Sequence, residues 1–537
     1  MKVGIKDVVV ILLIIALAAS WVYFLTIGKP AVPTKATDTD TLVIARDISD
    51  AVSLDPARAY EFSSCLIVNQ LYDKLVDLRP PDYEEIEPEI ATEWSILADN
   101  VTWEFEIREG ITFPDGTPIN ASTVKFSLDR CLELEQMGAW VIEQFGIKGN
   151  ITVVDTYTLQ IKLAEVVAPR VFLACLAFTS AGIVNPTIIH EHEVAGDLAS
   201  DWMTTHSAGS GPYILDHWET NVECVLTANE DYWGEAPKLK KIIIKHVPEA
   251  TTQMLQLETG DVDIAWNLIA DQIEEVEDVE GIKVVRVPSF FKDYLGMNVN
   301  ATIDGGKPLA DNRVRDAIRY ALDYDSILEV VKGGAIPLQT IIDQGIPGYN
   351  PALPYYQDLA KAEDLLSETD WPDGFDVELI AQPSLYWPDL AVIVKDSLEE
   401  IGIEVTIKTL EAGPMYELYR ARGHQLILGE WGADYSDPDN LAKAFAHYPT
   451  RQLAYRNVWN DSYANDLVER GFREFDWAER LDIYAELTDY VLHNGPYAIL
   501  FQGVYQYGIR TWVEGFYPDP TFFLMDFSSV YKEAVYK

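Results

Sequence analysis

An uncharged run of twenty residues, Val8 to Ile27, opens the chain, and no later segment approaches eighteen uncharged apolar residues. At about 1.5 Å rise per residue, this run just spans a hydrocarbon core about 30 Å thick. Lys2 and Lys6 precede it and Asp-rich sequence follows, which orients the N-terminus inside and the rest outside. A signal peptide cleaved after Ala18 is the rival reading. The run continues nine residues beyond Ala18, which favours an uncleaved anchor over residues 1–28. Residues 29–40, rich in Pro, Thr and Asp, read as a tether. One anchor and about 500 further residues cannot build a transport pore. The expected protein is therefore single-pass in the cell membrane, with its body on the extracytoplasmic face.

The body is strongly acidic, with 86 Asp and Glu against 40 Lys and Arg and a formal net charge of -46. Such a surface repels phosphate backbones and anionic headgroups, so no nucleic acid is expected as a partner. Solubility or salt adaptation accounts for the same charge, so it names no partner. A chain of 537 residues exceeds one compact core and implies two or three lobes. Cys65, Cys131, Cys175 and Cys224 lie far apart without a CxxC pair. They permit up to two disulfides outside the cell, or four buried thiols.

From Thr41 onward, short β-rich runs alternate with amphipathic stretches, the pattern of an α/β protein. Thr41 to Ala45 reads as a first strand, and Ser63 or Ser64 as the cap of a helix through about Leu75. Asp311 opens a helix in which Val314, Ala317, Ile318, Ala321 and Leu322 share a stripe, with Arg313, Arg315 and Arg319 off it. Leu390, Ile393, Val394, Leu398 and Ile401 form a second stripe, stopped by Gly402 before a strand from Ile403 to Leu410. Leu481, Tyr484, Leu487, Val491 and Leu492 form a third. All three read as core-facing surfaces.

Four blocks of sequence are more specific. The first runs from Ala91-Thr92-Glu93-Trp94 through Thr102–Arg108 to Phe113-Pro114-Asp115-Gly116-Thr117-Pro118 and Val124–Leu128. The second is Gly209-Ser210-Gly211-Pro212-Tyr213, then Asp231-Tyr232-Trp233-Gly234 and Gly260-Asp261-Val262-Asp263-Ile264. The third is Tyr294-Leu295-Gly296-Met297-Asn298, then Val314–Ile318 and Ala321-Leu322-Asp323. The fourth is Trp431-Gly432-Ala433-Asp434-Tyr435-Ser436-Asp437-Pro438-Asp439-Asn440. In this order and spacing they resemble extracellular solute-binding protein family 5, the peptide- and nickel-binding receptors of ABC importers. The resemblance implies an α/β, two-lobed periplasmic-binding-protein-like clamp of type II. Lobe one would comprise residues 41–293 and 503–537, with an extra subdomain at about 84–206, and lobe two residues 294–502. It also implies a monomer that captures a peptide between the lobes and delivers it to membrane permease subunits.

A peptide receptor needs a buried carboxylate for the ligand's α-ammonium and a roomy cleft for its side chains. By the resemblance, Asp434 holds the peptide's amino terminus. Asp437 and Pro438 already supply the helix opening that Asp434 would otherwise be needed for. Trp431 and Tyr435 are candidates to stack on the ligand or to pack the hinge. Tyr60 and Glu61 resemble the cleft-lining segment of lobe one. Tyr294 and Asn298 fall where the chain is expected to cross between lobes. Asp55, in its Leu-Asp-Pro turn, reads as structural.

Oligosaccharide binding is the alternative within this fold, because aromatic and amide side chains are abundant. Nickel is disfavoured: the eight His are scattered, and His190-Glu191-His192 reads as a polar helix end. A surface-anchored hydrolase is the alternative from another class, and a ligand sensor a third. Ser210 lacks the first glycine of a nucleophile elbow. HExxH and GxxxxGK[ST] are absent from the sequence, so no enzyme activity, metal or cofactor is expected. Five N-x-[ST] triplets, at Asn100, Asn120, Asn150, Asn300 and Asn460, suit an exposed surface protein. With an anchor and no lipid-attachment cysteine, an archaeal envelope is expected.

Overall fold

The computed structural model describes residues 38–79, 85–303, 306–521 and 525–533. The expected anchor and nearly all of the tether lie outside these residues. Among the described residues, no helix is long and apolar enough to cross a membrane.

Two long strands, Ile282–Met297 and Tyr497–Arg510, organise the architecture. They pair antiparallel in two stretches, Ile282–Pro288 with Val504–Arg510 and Lys292–Gly296 with Tyr497–Gln502. The register shifts between Pro288 and Lys292. Such irregularities bend a strand and raise its twist. Gln502 stitches the shift together, its side-chain amide donating to the carbonyls of Ser289 and Gln344 at 2.6 and 3.0 Å.

Among the described residues these strands lie inside an eleven-stranded mixed sheet. Beyond Ile282–Met297 come Leu426–Gly432, Asp376–Ala381 and Glu404–Thr409; beyond Tyr497–Arg510 come Ile264–Ala265, Thr41–Arg46, Lys241–His246, Glu223–Ala228 and Tyr213–Glu219. Parallel pairs such as Thr41–Arg46 with Lys241–His246 need helical crossovers, which supply the covering layers. One half of the sheet buries Leu42, Ile44, Ile242, Trp266 and Tyr507. The other half buries Tyr294, Ile427, Phe445 and Tyr484 in one cluster and Leu295, Val314, Leu379, Leu390 and Leu428 in another.

Residues in the stretch expected to form an extra subdomain make a separate four-stranded antiparallel sheet, Ala91–Ile96, Thr102–Ile107, Thr158–Lys162 and Ile151–Val153 in spatial order. Its core holds Trp103, Phe105, Ile161 and Phe172. Tyr435 and Phe472, far along the chain, insert into this same core.

Several sequence expectations are refined by packing. The first strand runs one residue further, to Arg46. The helix expected from Ser63 or Ser64 to Leu75 spans Phe62–Leu71, and both serines are buried inside it. The Ser64 hydroxyl instead accepts from the Val52 amide at 3.0 Å, so it ties down the preceding loop. The helix opened by Asp311 spans Asn312–Ala321, with Asp311 as its cap. Arg315 and Arg319 are buried, although they lie off the apolar stripe. Their guanidinium groups satisfy the Leu309 and Ala310 carbonyl oxygens just before their own helix, and those of Asn494, Gly495 and Tyr497 at and beyond the end of a neighbouring one. The stripes at Leu390 and Leu481 lie on helices Trp387–Glu399 and Trp477–Asn494. All four cysteines are buried free thiols.

The Gly209-Ser210-Gly211 string is explained by close approach. A Cβ on Gly209 would lie 1.9 Å from the Leu71 carbonyl oxygen, and one on Gly211 would lie 2.6 Å from the Leu71 carbonyl carbon. Between them, the Ser210 hydroxyl donates to Asp73 at 2.7 Å, a buried tie also joined by Tyr232 and Trp233. Gly209→Ala is expected to cost about 1–3 kcal/mol, because backbone rather than a flexible side chain must move. Urea denaturation followed by circular dichroism would measure it, and a loss below about 0.5 kcal/mol would contradict the close-packing account.

Candidate functional site

The strand Leu426–Gly432 ends at a cleft of about 690 Å³, within the size range of small-ligand pockets. Asp50, Tyr60, Glu61 and Phe62 form one wall, while Phe291, Glu430, Trp431, Gly432, Ala433 and Asp434 form the facing one. Trp140, Tyr416 and Gln452 complete the lining. Phe62 meets Phe291 across the gap with ring centroids 5.7 Å apart. Gly432 leaves room for the Phe291 ring, which an added Cβ would approach to 2.4 Å.

Asp434 is half-buried in this wall. The Tyr60 hydroxyl donates to its Oδ1 at 2.5 Å, and the Asn440 amide donates to its Oδ2 at 3.3 Å. Asn440 is set by the helix Pro438–Ala446, which Asp437 caps by accepting from the Asp439 amide at 2.9 Å. Arg480 grips Asp437 through two hydrogen bonds of 2.9 and 2.6 Å, fixing that cap. Burial raises the Asp434 carboxyl above its ordinary pKa, against the lowering effect of Tyr60 and Asn440. Among the described residues, Asp434 makes no ion pair. Burial, and then the neighbouring Asp434, raise the Tyr60 phenol as well, so it remains a donor.

Of the seven residues expected at the site, the structure brings four to the cleft: Asp434, Trp431, Tyr60 and Glu61. Trp431 also packs on the core beneath, and its indole stacks on the Arg456 guanidinium at 5.4 Å. The Glu61 carboxylate accepts from the Tyr60 amide at 3.4 Å. Three residues stand elsewhere. Tyr435 is buried in the core of the small sheet, and its hydroxyl donates to Asp439 at 3.0 Å. Tyr294 is buried against Phe445 and Tyr497, with its hydroxyl 3.4 Å from that of Tyr419. The Asn298 amide donates to the Arg422 and His424 carbonyls, both at 3.0 Å, and so ties backbone together.

Sequence reading missed Glu430, Phe291, Tyr416, Trp140 and Gln452. Glu430 adjoins Trp431 and could have been suspected from that position alone. Trp140 and Gln452 carry no local signal, because only the tertiary fold brings them here.

Comparison with known proteins agrees with this architecture. Residues 85–451 match the family described as bacterial extracellular solute-binding proteins, family 5 Middle. A probable D,D-dipeptide-binding periplasmic protein, DdpA, of Escherichia coli K12 is 28% identical over 487 residues, covering 90% of this chain and 92% of the relative. A dipeptide-binding protein of the same organism is 26% identical over 474 residues, covering 84% and 87%. The structure of DppA from Helicobacter pylori in complex with the peptide STSA superposes with a TM-score of 0.73 at 26% identity, covering 92% of this chain and 98% of that one. HbpA2 from Haemophilus parasuis shares the fold, with a TM-score of 0.80 at 23% identity and coverage of 92% and 100%. The fold is thus the α/β periplasmic-binding-protein clamp of type II, built on a mixed sheet, and the chain belongs to the bacterial extracellular solute-binding proteins of family 5.

Proposed function

We propose that this chain is the extracytoplasmic receptor of an ABC importer, and that it captures peptides by their α-ammonium at Asp434. One observation carries the reading. A half-buried carboxylate that makes no ion pair among the described residues stands in a cleft wall, held by the Tyr60 hydroxyl from the facing wall and by Asn440. Burying a charge without a counter-charge is costly, and a ligand ammonium supplies one. Peptide-binding relatives of similar length support the choice of ligand over an oligosaccharide.

In this reading the lobes close by bending the two long strands near the Pro288–Lys292 register shift, and the closed face docks on permease subunits. The proposed boundary is the one expected from the sequence, with residues 41–293 and 503–537 on one side and 294–502 on the other. The subdomain at about 84–206 flanks the cleft through Trp140. The receptor acts as a monomer, and the Val8–Ile27 run tethers it to an archaeal-type envelope.

The test is a thermal-shift series of the full-length chain with di- to pentapeptides, their N-acetylated forms, β-linked oligosaccharides and Ni²⁺. A ligand held only by the native state raises the midpoint through mass action. Peptides are expected to raise it and their acetylated forms to fail. A shift with saccharides alone overturns the peptide reading. Affinity should also fall as the pH is lowered, because only the ionised Asp434 pairs with an ammonium. Its raised pKa starts this loss above the ordinary value of 3.8. The same raised pKa means that protonation stabilises the unliganded fold, so this group alone gives no parallel loss of stability. Calorimetric titration at neutral pH and at about pH 4 would separate the two.

A further inference from the structure

The cleft holds a second anionic position. Glu430 lines it and lies directly opposite Asp293, in register on the adjacent antiparallel strand. Like charges facing each other across a strand pair are destabilising. Asp293 is 3% exposed, accepts a hydrogen bond from the Tyr386 hydroxyl at 3.2 Å, and makes no ion pair among the described residues. Its neighbour Lys292 is committed to Asp343 at 2.8 Å. Glu430 is exposed to the cleft, whereas Asp293 behind it is buried; burial, and then Glu430, raise the Asp293 carboxyl well above its ordinary pKa. Among the described residues neither carboxylate makes an ion pair, and Glu430 lines the same cavity as Asp434.

We propose that Glu430, backed by Asp293, is a second cation subsite, and that the cleft therefore takes dicationic ligands, peptides carrying a lysine or arginine side chain as well as a free amino terminus. This rests on the peptide reading above: Asp434 takes the α-ammonium and Glu430 the side-chain cation. Tyr416, also lining the cleft, supplies an aromatic wall for the methylene stem of such a side chain.

The experiment is calorimetric titration of the full-length chain with Ala-Lys and Lys-Ala, each against its Nε-acetyl-lysine counterpart. At least one order is expected to bind ten or more times more tightly with the free side-chain amine. Glu430→Gln should collapse that ratio toward one, as should Asp293→Asn. Melting curves of both variants confirm that they fold. Equal affinity for free and acetylated side chains in the parent chain overturns the subsite and leaves the peptide reading standing. If none of these peptides binds, 1,4-diaminobutane decides. A Glu430-dependent heat keeps the cation subsite and sinks the peptide reading, and no heat sinks both.

Discussion

Arg130→Met should lower the free energy of unfolding by about 3–5 kcal/mol, the cost of leaving a buried carboxylate without its partner. Arg130 reaches from the helix Ala121–Leu134 to Asp55 through two hydrogen bonds of 2.7 and 2.6 Å. The side chains are 2% and 0% exposed. Asp55 also accepts from the Ala57 amide at 3.0 Å, closing the turn that leads to Tyr60 and Glu61. Arg130 in turn donates to the Leu198 carbonyl at 2.9 Å, so one guanidinium joins the cleft-lining segment, the small-sheet subdomain and the loop beyond it. Methionine fills similar volume but strands the Asp55 charge. The double variant Asp55→Asn with Arg130→Met should recover part of the loss, since it removes the stranded charge. Urea denaturation of the single and double variants measures this. A single-variant loss below about 1 kcal/mol would show that water or a rearranged neighbour solvates Asp55 after all.

Asp434→Asn should weaken peptide binding by about 1.5–3 kcal/mol, roughly 13- to 160-fold, the worth of hydrogen bonds to a charged group. Asparagine keeps the shape and can still accept from Tyr60, so what is lost is the charge facing the ammonium. Stability should hold or rise slightly, because the fold disfavours the ionised form, as the raised pKa shows. That opposition distinguishes a binding role from a structural one. A structural Asp434 would lose stability on substitution and leave affinity untouched. Calorimetry with a dipeptide, paired with a melting curve, reads both quantities. Unchanged affinity would remove Asp434 from the site and shift the search to Glu430 and Glu61.

Much of this molecule was legible because its signals are local. The Asp311 cap, the stripe after it and the Gly402 stop are set by neighbours within a few residues, and the structure forms those helices within one or two residues of expectation. Asp437 and Pro438 opened a helix as read, since capping is a property of three or four consecutive residues. The four family blocks were similarly short strings, and the family match covers residues 85–451. Arg315 and Arg319 mark the limit of such reading. A helical period says which residues share a face, but not that a neighbouring helix will present carbonyl oxygens to the other one.

By itself, then, the sequence determined the class, the element order and the string that carries Asp434. Only the tertiary structure decided which side chains meet there. Tyr60 and Asp434 are separated by 374 positions, and no local pattern couples them. Tyr435, one residue beyond Asp434, turns instead into the core of another sheet, because successive positions after a strand point to different sides. Glu430 faces Asp293 for the same reason: strand pairing brings distant residues opposite each other, with a register set by the whole sheet.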